Sequence, residues 1–265
     1  MSLWARMWRE FVRDTSYMHV LKEEGISNDE FWNAYGSYDD LLRYSGYPGE
    51  ILKRVSSFIP PGATFLDIGA GTGAFAVPIS RKTKKTIAID PSPHQISALL
   101  KNARAEGLKN ITTLIKPWSD VEMEELVGPE GRDGIDYSLA AYSLFDEEIE
   151  RFLQKMIDVS RRGTFIVFRA GETDPLAEFA YGKRRFADHT CLCHILSDMG
   201  YQFNVEIFRR DYLLPVCFVL KQYRFSKKTP DELLERLEDS GRIINRDDSS
   251  FASFSNKDAL LYLTN

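Results

Sequence analysis

The stretch Phe65-Leu66-Asp67-Ile68-Gly69-Ala70-Gly71-Thr72-Gly73-Ala74-Phe75 decides the fold. It reads as a short apolar strand, a glycine turn and the start of a helix. Glycines at such a turn permit tight backbone conformations and let a ligand approach with no Cβ in the way, while the following helix offers its N-terminus. A glycine-rich turn alone does not identify a ligand, because the dinucleotide fold places one at the same point. The dinucleotide fingerprint has the spacing G-x-G-x-x-G, whereas Gly69, Gly71 and Gly73 alternate here and Phe75 follows. Asp67, two residues before the first glycine, can accept hydrogen bonds from the turn or face a cationic ligand. Neither detail suits a pyrophosphate.

Working outward, a second apolar run, Ile87-Ala88-Ile89, ends at Asp90-Pro91-Ser92. A carboxylate closing the second strand can accept two hydrogen bonds from a ribose diol, so the expected ligand carries an unphosphorylated ribose. Strands are expected at Thr64–Ile68, Thr86–Ile89, Ile111–Ile115, Tyr137–Ala140 and Thr164–Phe168. Helices fall between them, near Ala74–Arg81, Pro93–Glu106, Val121–Val127 and Glu147–Ser160. Short β-branched runs alternating with helical segments make a parallel sheet with crossover helices.

Before this unit, Leu3, Trp4, Met7, Trp8, Phe11 and Val12 recur at helical spacing, predicting one amphipathic helix from Leu3 to about Glu24. An aromatic-rich stretch follows and leads into a helix near Pro48–Phe58, stopped by Pro60-Pro61-Gly62. Residues 1–47 thus form a helical N-terminal extension, either a lid over a ligand or a cover for the sheet; Trp32, Tyr38, Tyr44 and Tyr47 are its candidate contacts. After Gly171 the sequence predicts a helix at His189–Met199, strands at Phe203–Phe208 and Val216–Tyr223, a helix at Pro230–Leu237 capped by Thr229, and a strand at Asp258–Leu263. The charged, Ser-rich Asp231–Phe254 segment marks an insertion, placed around 210–256 within a main domain of residues 48–265.

These residues resemble the class I S-adenosylmethionine-dependent methyltransferases over roughly residues 48 to 170. Leu66 to Gly73, Asp90 in its Ile-Asp-Pro-Ser context, and Lys116-Pro117-Trp118-Ser119-Asp120 carry the resemblance. It implies a Rossmann-like α/β fold with a seven-stranded, mostly parallel sheet and helices on both faces, the last strand antiparallel between the fifth and sixth. It further implies S-adenosylmethionine as cofactor, held by Asp67, Gly69, Ala70, Gly71, Gly73, Asp90, Pro91 and Trp118. Asp90 would hold the ribose hydroxyls, and Trp118 or its neighbours Pro117 and Ser119 would flank the adenine. A core position for Trp118 is the plainer alternative.

Tyr142 follows the fourth strand, at the sheet edge where open α/β folds bind ligands, and is the one candidate catalytic residue. Arg169 and Glu172 are candidates for placing the acceptor, although positioning alone supplies much of such a rate. After the fourth strand the chain reads Ala140-Ala141-Tyr142-Ser143 and lacks an Asn/Asp-Pro-Pro-Tyr/Phe run, which disfavours amino methylation of adenine or glutamine. No cysteine lies near the fourth or fifth strand, which disfavours cytosine-C5 chemistry. A small-molecule acceptor is left by elimination; a protein or RNA acceptor and a non-catalytic cofactor-binding module are the alternatives, with a nicotinamide-dependent oxidoreductase as a further rival.

The 265 residues carry 34 Lys and Arg against 39 Asp and Glu, a net charge of −5, which provides no global field for nucleic acid or anionic lipid. Cys191, Cys193 and Cys217 are an odd set, read as free thiols of a reducing compartment. The run His189-Thr190-Cys191-Leu192-Cys193-His194 collects metal-binding residue types, but on a helix consecutive positions diverge, so no metal is expected. Arg6, Arg9 and Arg13 interrupt the apolar N-terminus, no segment reaches the ~20 apolar residues of a membrane helix, and a cytoplasmic location is expected.

Overall fold

The computed structural model describes residues 1–35, 38–126, 134–182, 187–247 and 249–264. The N-terminal part is helical: α1 (Leu3–Asp14), α2 (Tyr17–Glu24), α3 (Asn28–Tyr35), α4 (Tyr38–Ser45) and α5 (Gly49–Phe58). The single helix expected over Leu3–Glu24 is two, because Ser16 starts a new one. Its hydroxyl accepts from Met18 N at 3.1 Å while the Thr15 N–H closes α1 on Phe11 O. A serine at that position competes with helix continuation by capping the next turn.

The sheet then builds as β1 (Thr64–Ile68), α6 (Ala76–Ser80), β2 (Lys85–Ile89), α7 (Pro93–Ala105), β3 (Ile111–Leu114), a 3-10 turn at Trp118–Asp120, α8 (Met123–Leu126), β4 (Ile135–Ala141), α9 (Ile149–Val159) and β5 (Ser160–Ala170). Val127, the end of the helix expected near Val121–Val127, lies outside the described residues. After α10 (Pro175–Tyr181) and α11 (His189–Asp198) come β6 (Asn204–Pro215), α12 (Val216–Gln222), α13 (Pro230–Asp239), β7 (Ile243–Arg246) and β8 (Ser249–Thr264). The strand order is β3-β2-β1-β4-β5-β8-β6, with β7 paired to β8. Strands β1 to β5 run parallel; β8 is antiparallel to both β5 and β6. This is the Rossmann-like arrangement, with eight strands where seven were expected.

The eighth strand comes from the C-terminal segment. Strand β8 is 16 residues long; Lys257–Thr264 pairs with β5, while Phe251–Asn256 runs on between β6 and β7. Asp248, inside the Asp231–Phe254 segment, lies outside the described residues. Val216–Tyr223, read as a strand, is instead α12. A short apolar run does not reveal its period; here Pro215 stands at the N-cap and Val219 is buried with Leu214, Leu233, Leu237 and Ala252. That cluster gives the extension its own small core.

Both sheet faces are covered. One packs α1, α9 and α11 through Trp8, Phe152, Leu153 and Leu192 onto Leu66, Ile166 and Phe168. The other packs α5 and α6 through Ile51, Val55 and Ile79 onto Phe65, Leu139 and Phe165. Each fully buried side chain of this size contributes about 1.5–3 kcal/mol, so the extension helix α1 is held by core packing at Trp8, Phe11 and Val12. Among the described residues, no helix is long and apolar enough to cross a membrane.

Candidate functional site

Strand order reverses between β1 and β4, and ligands of open α/β sheets bind outside the strand ends at such a point. A cavity of about 410 Å³ lies there. Gly69 leaves β1 with φ +72° and its backbone N–H donates to Ile89 O at 2.7 Å. A Cβ on Gly69 would overlap Ser143 Cβ, so only glycine lets the β4 loop close over the turn; Ser143 Oγ donates to Ile68 O at 2.5 Å. Gly73 does a different job. A Cβ there would come within 2.6 Å of Val77 and 3.0 Å of Leu99, so this glycine packs α6 against α7.

Asp90 is 7% exposed at the cavity floor. Its Oδ2 accepts from Gly71 N at 2.9 Å and its Oδ1 from Ser92 N at 2.9 Å. Burial pushes its pKa up, and these two N–H groups pull it down. With two of about four acceptor positions used, the carboxylate keeps capacity for two further donors. Asp67 stands behind the glycine turn: its Oδ2 accepts from Ala76 N at 3.0 Å, tying the turn to α6. Burial, partly offset by that N–H, pushes its pKa up to about 7.

Of the cofactor-site residues expected from sequence, Gly69, Gly71, Asp90, Pro91 and Trp118 line the cavity; Asp67, Ala70 and Gly73 sit behind it. Trp118 is a core residue that also lines the cavity. It is 5% exposed in the core, its Nε1 donates to Phe152 O at 3.3 Å, and Lys155 Nζ lies 4.3 Å from its ring, while its edge forms cavity wall.

Tyr142 lines the same cavity with φ +54°, a conformation uncommon for a bulky residue. Its hydroxyl donates to Asp258 Oδ1. Asp258 is fully buried and accepts from Arg210 Nε at 2.6 Å and Nη2 at 3.1 Å, and Arg210 Nη1 donates to Ser45 O at 3.1 Å. Burial and the neighbouring Asp258 push the Tyr142 pKa well up. Arg169 is elsewhere, its guanidinium 5.3 Å from the Phe11 ring and 5.1 Å from the Phe168 ring, and Glu172 is exposed; neither lines the cavity.

The N-terminal helices form the opposite wall. Trp32 and Tyr38 reach the cavity as expected, joined by Tyr17 and Asn28; Tyr44 and Tyr47 do not. Tyr44 packs beside Phe218, and Tyr47 against Phe75 and Tyr142. Asp29 docks α3 on the start of α7, where Oδ1 accepts from Ser92 Oγ at 2.6 Å and His94 N at 2.9 Å. Those bonds hold the Asp29 carboxyl below its usual range. Tyr17, Asn28 and Gln95 escaped the sequence reading, since nothing in their spacing marks them apart from core positions.

The His189–His194 run is used for packing. Cys191 Sγ donates to Trp4 O at 3.5 Å and the His194 ring stacks on Trp4 at 4.0 Å. Cys191, Cys193 and Cys217 are free, and no three metal-ligating side chains converge among the described residues.

Residues 65–163 match the family model described as a methyltransferase domain. By sequence, the chain is 25% identical over 122 residues to an uncharacterised protein of Haemophilus influenzae, covering 46% of this chain and 42% of that one. It is 32% identical over 120 residues to phosphoethanolamine N-methyltransferase 3 of Arabidopsis thaliana, covering 44% of this chain and 23% of that one. The match spans less than half the length of either relative. Among solved structures, the YcgJ protein of Bacillus subtilis is similar in fold, with a TM-score of 0.56 at 15% identity over 80% of this chain and 96% of that one.

Proposed function

We propose that the chain transfers the methyl group of S-adenosylmethionine to a small-molecule acceptor, a reading supported by the match of residues 65–163 to the methyltransferase-domain model and by the Rossmann-like sheet. The observation that carries this reading is the convergence of Gly69, Gly71, Asp90, Pro91 and Trp118 on one cavity. The residues fit the cofactor. A Cβ on Gly71 would find only Gln95 Oε1 within 4 Å, at 3.7 Å, so the glycine leaves backbone open to a ligand. Asp90, braced by two backbone N–H groups, presents acceptor capacity suited to a ribose diol and a negative charge suited to a cationic ligand.

When bound, the cofactor supplies an electrophilic methyl carbon: a lone pair of the acceptor forms the new bond, the S–CH₃ electron pair stays on sulfur as a thioether, and an N–H or O–H acceptor loses its proton to solvent. Asp90 would accept from the ribose hydroxyls, the backbone at Gly69 and Gly71 would leave room for the ligand, and Pro91 and Trp118 would flank the base. Asp67, Ala70 and Gly73 act indirectly by shaping the turn. Tyr142, a cavity-lining residue whose hydroxyl hydrogen is committed to Asp258, would position the acceptor. Positioning of this kind converts a two-body encounter into a one-body step and can supply most of the rate.

Residues 1–47 act as a cover over the main domain of 48–265, excluding water with Tyr17, Trp32 and Tyr38. An acceptor that shares this cavity with the cofactor is small, which the name of the Arabidopsis relative also favours. Net charge −5 favours it over a nucleic acid. Three free thiols suit a cytoplasmic location.

The test is calorimetric titration of S-adenosylhomocysteine into the wild type and Asp90→Ala, with NADH as control ligand. Binding that the substitution abolishes is the expected result. A folded protein that binds NADH instead, or neither ligand, overturns the reading.

A further inference from the structure

Two carboxamides in the cavity wall, those of Asn28 and Gln95, each hold a buried polar atom without a hydrogen-bond partner: Asn28 Nδ2, a donor, and Gln95 Oε1, an acceptor. Polar groups held from water without a partner are costly and uncommon. The orientation of Asn28 is fixed by its neighbours. Its Oδ1 accepts from Tyr17 Oη at 3.2 Å and from Trp32 Nε1 at 3.2 Å. An indole N–H can only donate, so the oxygen must face Trp32 and the amino group is left over.

Both side chains hang from one node. Gln95 is 2% exposed and its backbone N–H donates to Ser92 Oγ at 3.2 Å; the same hydroxyl donates to Asp29, the residue next to Asn28. Ser92 in turn donates its N–H to Asp90. Asn28 and Gln95 are therefore linked through Ser92 and Asp29 to Asp90 in the wall of the same cavity. An unpaired donor and an unpaired acceptor in the wall of one cavity complement a base edge that offers an acceptor ring nitrogen and an amino group. Adenine offers that edge through N1 and N6. Hypoxanthine, its deaminated counterpart, offers the reverse, a donor at N1 and an acceptor at O6.

Building on the methyltransferase reading, we propose that Asn28 and Gln95 read the adenine of the cofactor, Asn28 Nδ2 donating to N1 and Gln95 Oε1 accepting from N6. Helix α3 of the N-terminal extension is then part of the cofactor site itself. Base selectivity is then written partly outside β1 and the glycine turn, in residues joined by Asp29 docking on α7.

The experiment titrates S-adenosylhomocysteine and S-inosylhomocysteine into the full chain as wild type, Asn28→Asp and Gln95→Met, with thermal melting to confirm folding. Asn28→Asp keeps the oxygen that Tyr17 and Trp32 use and replaces only the donor by an acceptor. The wild type is expected to prefer the adenosyl ligand by about 100-fold, as two matched hydrogen bonds to a base edge imply. Asn28→Asp is expected to cut that ratio below about tenfold, and Gln95→Met to lower it as well, which keeps the proposal falsifiable if one variant does not fold. A change in charge or shape would weaken both ligands alike and leave the ratio standing. An unchanged ratio in the variants, or a wild type indifferent to the base, overturns the proposal while the Asp90-dependent binding of S-adenosylhomocysteine still stands. Binding of neither ligand overturns the methyltransferase reading and the proposal together.

Discussion

Replacing Asp67 by Asn removes a titration buried behind the glycine turn while keeping an oxygen for the Ala76 N–H. In the folded protein this carboxyl titrates near 7, against 3.8 for the unperturbed group. Between those values the folded state holds a proton that the unfolded chain has released. The unfolded state binds fewer protons, so stability falls as pH rises through the window and levels off above 7. From pH 5 to 7, at about 1.4 kcal/mol per pH unit, the wild type loses about 2–3 kcal/mol through this group alone. Asp67→Asn escapes that loss. Its melting temperature relative to the wild type is expected to rise by about 5–10 °C between pH 5 and pH 8.5, at about 2–4 °C per kcal/mol for a chain of this size. Differential scanning fluorimetry on ligand-free protein reads the difference, and other titrating groups cancel in it. Parallel curves for the two proteins would refute the assignment of an elevated pKa to Asp67 and the burial argument behind it.

Gly69→Ala forces a Cβ into Ser143 at φ +72°; a loss of about 1–3 kcal/mol and at least tenfold weaker S-adenosylhomocysteine binding are expected by fluorimetry and calorimetry. Arg210→Met strands the buried Asp258 carboxylate and is expected to cost about 3–5 kcal/mol in denaturant unfolding, with the double replacement Arg210→Met, Asp258→Leu recovering most of it. Tyr142→Phe removes only the hydroxyl; S-adenosylhomocysteine affinity should stay within about threefold while single-turnover methyl transfer slows about 10–100-fold, on the scale of a lost positioning contact.

Much of the site was legible because its signals are local. The strand, glycine turn and Asp90 all lie between Thr64 and Asp90, and each has a backbone reason that spacing alone displays: a turn that needs positive φ, a strand that must end in an acceptor. The alternation of strands and helices marked the parallel sheet, while the antiparallel strand beside β5 was implied by the resemblance to the class I methyltransferases. The errors fell where the period is short or the partner distant. Val216–Gln222 has β-branched composition, but seven residues cannot separate a strand from a helix, and packing on Leu233 and Leu237 decides. The Leu3–Glu24 periodicity hid a break that one serine hydroxyl makes. Asn28 and Gln95 were illegible because their role rests on which of their atoms remain unpaired after folding.

The Arg210–Asp258 pair shows why the surroundings of Tyr142 were harder still to read. These residues are 48 positions apart on antiparallel strands β6 and β8, and Tyr142 is 116 positions from Asp258. A buried ion pair gains little stability, since desolvation offsets the attraction and apolar residues of similar volume do as well. Its presence next to a tyrosine in a strained backbone conformation is better explained by what it fixes. The carboxylate takes the hydroxyl hydrogen, the guanidinium fixes the carboxylate through two nitrogens, and the Ser45 carbonyl at the end of α4 accepts from the third. Three elements, the tip of β4, the C-terminal hairpin and the N-terminal helices, are thereby locked to one phenol oxygen. That convergence ties Tyr142 to strands β6 and β8, and on the proposed positioning role of Tyr142 the loss of Arg210 or Asp258 is expected to slow methyl transfer before it weakens S-adenosylhomocysteine binding.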